Sequence, residues 1–234
     1  FDSMTEHEVR TLPPVAFPSD GHRAITKAAI RVLPEEDLAY LEPEAELLVD
    51  VYCGFPDQNW MTYGDFGEAA IYDERFPDCR RAWDISGYCR FHPFTKAGEF
   101  IGHGPPTSVE ACKKLLPLVL AAFHGGRHRD AVRHLGALVH YVEDSGTPGH
   151  VIETKGELHT ALDAIPDDLV GIEGYEPRLL TDAEDELADA VTARVQELIE
   201  YVAPRAKQMI ATFGTEGIET VRVFLIEYAN ECAR

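Results

Sequence analysis

HLGALVHYVEDSGTPGHVIETKGELHTALD, residues 134–163, gathers His140, Asp144, His150, His159 and Asp163 into one short stretch. An α-helix repeats about every 3.6 residues, so side chains four apart stand one above the other on the same face. His140 and Asp144 therefore form one two-toothed clamp, and His159 and Asp163 form a second. Between them, Ser145-Gly146-Thr147-Pro148-Gly149 must break the chain, because Gly and Pro end helices and set turns. His150 stands just past that break, placed to turn back toward either clamp. Imidazole nitrogen combined with carboxylate oxygen suits zinc and other divalent transition metals. One helical His-x-x-x-Asp would carry little weight. Two of them, joined by a turn that bears a third His, predict a metal site between helices.

The flanking sequence extends the helical pattern in both directions. Ser19 or Asp20 can cap a helix through Val32, with Ala24, Ile25, Ala28, Ala29 and Val32 at helical spacing. Pro34 ends it, and Glu35-Glu36-Asp37 places acids where the next helix dipole favours them. A second helix is expected from Glu44 to Tyr52, followed by a turn, Cys53-Gly-Phe-Pro-Asp57-Gln-Asn-Trp60, with a carboxylate at its apex. Residues 61–91 are irregular and aromatic-rich, the composition of a long loop that builds a binding site. Ser108 then caps an apolar helix through Ala122, and a central helix from Arg129 to Glu143 carries Leu135, Leu138, Val139 and Val142 inward. Thr181 or Asp182 begins a long helical periodicity through Val202, Pro204 interrupts it, and a final helix runs to about Glu231. No internal repeat, low-complexity tract or alternating strand pattern occurs. The expectation is an all-α compact bundle, a single domain over 20–234 with an aromatic, loop-rich insertion around 58–91. Residues 1–19 read as an extended, proline-rich lead-in whose first four residues, Phe-Asp-Ser-Met, look like a cloning remnant before an initiator Met4.

Composition narrows the function. With 234 residues and 45% hydrophobic content, the chain can bury a sizeable core. Its 41 acids against 21 bases give a net charge of −20, which argues against a protein that grips duplex nucleic acid or adsorbs to an anionic membrane. A small anionic substrate stays compatible, because bound cations offset the acids locally. Five cysteines form neither a CxxC pair nor an even set, so they do not read as a secreted disulfide framework. No run of about 18 apolar residues predicts a transmembrane helix, and the start lacks the pattern of a signal peptide, so the expected location is cytoplasmic.

The ordered set His140-x-x-x-Asp144-x-x-x-x-x-His150 and His159-x-x-x-Asp163, with Pro148 between Asp144 and His150, resembles the ligand block of the zinc-dependent bacterial phospholipases C and the fungal single-strand-specific nucleases. Gly21-His22-Arg-Ala-Ile-Thr resembles that superfamily's N-terminal helical His. Phe55-Pro56-Asp57 resembles the Asp ahead of the cluster, and Phe91-His92 its first His. The resemblance covers residues 20–163 and implies an all-helical fold with adjacent metal ions. Asp57, His92, His140 and Asp144 would hold the first; His150, His159 and Asp163 the second; His22 and a bridging Asp144 the third. His103, in Gly102-His103-Gly104, is the rival to His92, whose aromatic neighbours match the family better. The family closes its third site with a processed N-terminal Trp. Here Phe1 stands 21 positions before His22, so the expected centre holds two ions, a weak third, or a reorganised set.

The chemistry this implies is hydrolysis of a phosphate ester or phosphodiester by zinc, with iron or manganese as alternatives. Asp57 would serve as both ligand and general base. Phe55, Trp60, Tyr63 and Phe94 are candidates for the substrate wall, or alternatively for the core. Glu143, Glu153 and Glu157 are candidate partners of the histidines. The expected substrate is a small molecule. A repurposed metalloenzyme catalysing an elimination, a cyclisation or an oxygen-dependent step is the first alternative, and a non-catalytic metal-stabilised binding protein the second. His134 lies six residues before His140, about 240° around the helix, and falls off the ligand face; His124 and His128 are expected to be solvent-facing or structural.

Overall fold

The computed structural model describes residues 20–50, 52–54, 56, 103–152, 154, 157–163, 165, 169–216 and 218–234. Within them the chain is helical, and no strand occurs among the described residues. Helix α1 (Asp20–Arg31) ends one residue short of the expected Val32 and buries Ala24, Ile25 and Ala28 of the expected stripe, with Ala29 and Val32 half-buried. Helix α2 (Glu35–Leu41) begins with three acids, and α3 (Ala45–Asp50) leads into a 3-10 turn at Tyr52–Gly54. Helices α4 (Thr107–His124) and α5 (His128–Gly146) form a hairpin around Gly125–Arg127, where Gly126 adopts φ 67°. The short helices α6 (Pro148–Val151) and α7 (Glu157–Asp163) follow, then α8 (Leu187–Glu216) and α9 (Ile218–Ala233). No helix among the described residues is long and apolar enough to cross a membrane.

Two apolar clusters hold these helices together. The first joins Leu41, Leu48, Tyr52, Leu115, Val119, Val132 and Tyr141 across α2, α3, α4 and α5. The second joins Ile25, Leu162, Val202, Val221 and Leu225 across α1, α7, α8 and α9. Val142 on α5 packs against both. The last turns of α5, which carry His140 and Asp144, therefore lie on the seam where the two clusters meet.

Several expected boundaries move. Pro204 does not interrupt the long helix: α8 runs 30 residues through it. A proline removes one backbone hydrogen bond and crowds the preceding turn. Here Val195, Leu198, Val202, Ala206 and Met209 stay in helical phase on both sides and are all buried, so side-chain burial outweighs that local cost. Ser108 does not cap α4. It lies inside the first turn, fully buried, with its hydroxyl 2.8 Å from that of Ser145 on α5. The second helix stops at Asp50 rather than Tyr52, and residues 184–186 form a 3-10 turn before α8 starts at Leu187. Leu138 is buried, whereas Leu135, Val139 and Val142 are half-buried. The lead-in 1–19 and the aromatic insertion 58–91 lie outside the described residues.

Candidate metal centre

Thr147 leaves helical geometry at φ −90°, ψ 121°, and Pro148 starts α6 at once. A proline is well placed in a first helical turn, because its missing N–H would have had no partner there. This turn brings His150 back over the end of α5, as its position in the sequence suggests. His150 Nε2 lies 3.1 Å from Asp144 Oδ1 and 3.7 Å from Asp163 Oδ2. The two His-x-x-x-Asp clamps hold as pairs. His140 Nε2 stands 3.3 Å from Asp144 Oδ2, and His159 Nε2 stands 3.1 Å from Asp163 Oδ2.

Six of the eight expected ligands thus fall into two groups, and within each the ligand atoms all lie within 4.8 Å of one another. The inner group is His22, His140 and Asp144; the outer is His150, His159 and Asp163. Either could hold a metal ion. His22, reached from α1, brings Nε2 to 3.6 Å from Asp144 Oδ1, and its ring stacks on His140 with centroids 4.0 Å apart. His22 and His140 therefore share one group, whereas the family pattern would place them on different ions.

The donors fit a metal on three counts. Two ligands on a tetrahedral ion at about 2.0–2.1 Å stand about 3.3–3.4 Å apart. The His-to-Asp separations, from 3.1 to 3.7 Å, bracket that value. The Asp144 side chain is fully buried, and no described residue gives either of its oxygens a hydrogen bond of normal geometry. A buried carboxylate left this way is costly unless a cation shares it. Finally, imidazole and carboxylate are the donor classes that zinc accepts. Burial alone would raise the Asp144 carboxyl, but His150, His140 and His103 outweigh it and hold the group well below the usual carboxylate range.

The ligand rings are fixed from behind. His140 Nδ1 donates to the Cys53 carbonyl oxygen at 2.7 Å, which leaves Nε2 to face Asp144. That carbonyl sits on the 3-10 turn, which is anchored by Glu44. The Tyr52 hydroxyl donates to one oxygen of Glu44 and Arg129 Nε donates to the other at 2.8 Å. The turn can lie this close only because position 136 has no side chain. A Cβ on Gly136 would meet Tyr52 Cβ at 2.4 Å and its carbonyl carbon at 2.7 Å. His22 Nδ1 lies 2.7 Å from Glu143 Oε2, and Thr26 donates to Glu143 Oε1 at 2.7 Å. Burial raises the Glu143 carboxyl above its ordinary value, opposed by His22 and Thr26. His159 Nδ1 lies 3.3 Å from the Thr154 hydroxyl.

His103 is buried beside the inner group, with Nδ1 3.2 Å from His140 Nε2 and 3.4 Å from Asp144 Oδ2. Gly104 permits this, since a Cβ there would meet the His150 carbonyl oxygen at 2.4 Å. His92, expected in this role, lies outside the described residues, as do Asp57, Phe55, Trp60, Tyr63 and Phe94. Glu153 and the side chain of Glu157 also lie outside. Glu143, the acidic candidate whose side chain is described, is placed against His22. His134 is buried but belongs to neither group, and His124 faces solvent beside Glu184. The Cys53 carbonyl, Thr26 and Thr154 had no signal in the sequence, because each contact depends on how separate segments pack. No family model, curated protein or solved structure matches this chain.

Proposed function

We propose that this chain is a metal-dependent hydrolase of a phosphate ester or phosphodiester, acting on a small substrate and using zinc in preference to iron or manganese. The observation that carries this reading is the position of Asp144. It contacts His22 and His140 of the inner group and His150 of the outer group within 3.6 Å, so two cation sites would share one carboxylate. Divalent ions held side by side supply a water of lowered pKa and positive charge against a phosphorus centre. His22, His140 and Asp144 would hold the inner ion; His150, His159 and Asp163 the outer one.

The remaining work falls to the chain's own groups. The Cys53 carbonyl and Glu143 keep the protons of His140 and His22 at Nδ1, so Nε2 of each stays an electron-pair donor. The half-exposed outer group gives a substrate oxygen a way in, while the buried inner group excludes solvent. Asp57 is the proposed general base, accepting the proton of the attacking water at a carboxylate oxygen. The net charge of −20 disfavours long polyanions and leaves small phosphorylated molecules as the substrate class. Zinc-loaded protein is expected to cleave members of a panel of phosphate monoesters and diesters, and Asp57→Asn to lose most of that turnover. Loaded wild type that cleaves none of them sinks this function. Bound iron with oxygen-dependent turnover would point instead to a non-hydrolytic metalloenzyme.

A further inference from the structure

We propose that Glu143 is a positioning residue that fixes His22 as an Nε2 ligand, an inference that rests on reading the inner group as a metal site. Consecutive residues of α5 approach the two nitrogens of this one ring. Nδ1 lies 2.7 Å from Glu143 Oε2, and Nε2 lies 3.6 Å from Asp144 Oδ1. Successive helical side chains point about 100° apart, which lets neighbouring carboxylates reach opposite edges of one imidazole. Thr26 stands one turn beyond His22 on α1 and donates to the other Glu143 oxygen at 2.7 Å. Both oxygens are thereby engaged.

The protonation of the ring follows. Nδ1 faces Glu143 and Nε2 faces Asp144, so a ring that donates to Glu143 from Nδ1 keeps the lone pair on Nε2 for an ion. The His140 ring, stacked at 4.0 Å, limits rotation. A carboxylate behind a ligating histidine also raises its basicity. The other ligands are backed differently: His140 by the neutral Cys53 carbonyl, His159 by the neutral Thr154 hydroxyl. Glu143 thus sets a carboxyl group behind the ring that α1 supplies.

The test uses the full-length chain, labelled with nitrogen-15, as wild type, Glu143→Leu, Glu143→Gln and Thr26→Val. Imidazole nitrogen spectra are recorded without metal, above the ordinary imidazole titration range, and zinc affinity is then measured by titration. Metal-free wild type is expected to show His22 in the Nδ1–H form. Glu143→Leu should convert it to a mixture with Nε2–H and lower the affinity of the inner ion about 10–100-fold. Glu143→Gln keeps an acceptor oxygen, so it should restore the tautomer and recover part of the affinity. Thr26→Val should cause a smaller loss of inner-ion affinity without touching the outer ion. A folded Glu143→Leu protein with the wild-type His22 tautomer and wild-type zinc affinity overturns the role of Glu143. If neither Glu143 variant folds, unchanged inner-ion affinity in Thr26→Val overturns it. Wild type that takes up no zinc overturns the metal-centre reading itself.

Discussion

The inner and outer groups carry the same donors, two imidazoles and one carboxylate, in opposite surroundings. His140 and Asp144 are fully buried, whereas the His159 side chain is 31% exposed. Behind the inner rings stand a carboxylate and a backbone carbonyl; behind His159 stands the Thr154 hydroxyl at 3.3 Å. Donor identity sets which metal is accepted, but retention depends on how firmly the ligands are held before the ion arrives. By that argument the inner group would keep an ion and the outer group would exchange one. A closed site beside an open one is also what hydrolysis by paired ions needs, because substrate must reach a coordination position.

The most damaging change to this arrangement should be Asp144→Ala. It removes the carboxylate the two groups share, so zinc affinity should fall at both, by more than the roughly 100-fold that losing a supporting partner costs. Elemental analysis after exhaustive dialysis reads the result. Unchanged stoichiometry would mean the groups are independent. His159→Ala should act on one side only, removing one ion per chain and leaving the inner ion in place, with phosphoester cleavage lost. Loss of both ions from this variant would make the outer group a support of the inner one.

Chelation separates the groups without mutation. With a chelator present, zinc should leave in two phases, the fast one absent from His159→Ala. A ligand that binds only the folded state stabilises it by about 2.7 kcal/mol at a hundred times its dissociation constant. Most of the fall in melting temperature should therefore accompany the slow phase, when the tighter inner ion leaves. A single phase would erase the distinction drawn from burial.

Helical periodicity made much of this site legible in advance. His140 with Asp144, and His159 with Asp163, had to share faces once those segments were helices; the break expected over 145–149 falls at Thr147-Pro148, with Ser145 and Gly146 still helical, and leaves His150 where it can turn back. Periodicity failed where burial overrode local rules: α8 runs through Pro204 because an apolar stripe continues past it. Ser108, a good cap by residue type, was drawn into the core by Ser145. Contacts between distant segments left no local trace. His103 reaches the cluster across 37 residues and Glu143 meets His22 across 121, so the sequence offers His103 only as a rival to His92 and Glu143 only as one of three acidic candidates, without assigning either a partner.

The mildest prediction probes how far the inner group owes its firmness to packing rather than to its donors. Gly136 bears no functional group, yet its bare Cα lets the 3-10 turn press on α5 and bring the Cys53 carbonyl to His140 Nδ1. Gly136→Ala would set a methyl 2.4 Å from Tyr52 Cβ, so the turn must shift. Overpacking of this kind costs about 1–3 kcal/mol, offset in part by the better helix propensity of Ala. Calorimetric unfolding of the metal-free variant measures that cost. The shift would also lengthen the bond that orients His140, so inner-ion affinity should fall by up to about tenfold while the outer ion binds as before. Destabilisation with unchanged inner affinity would show that His140 needs no carbonyl behind it, and that burial alone separates the two groups.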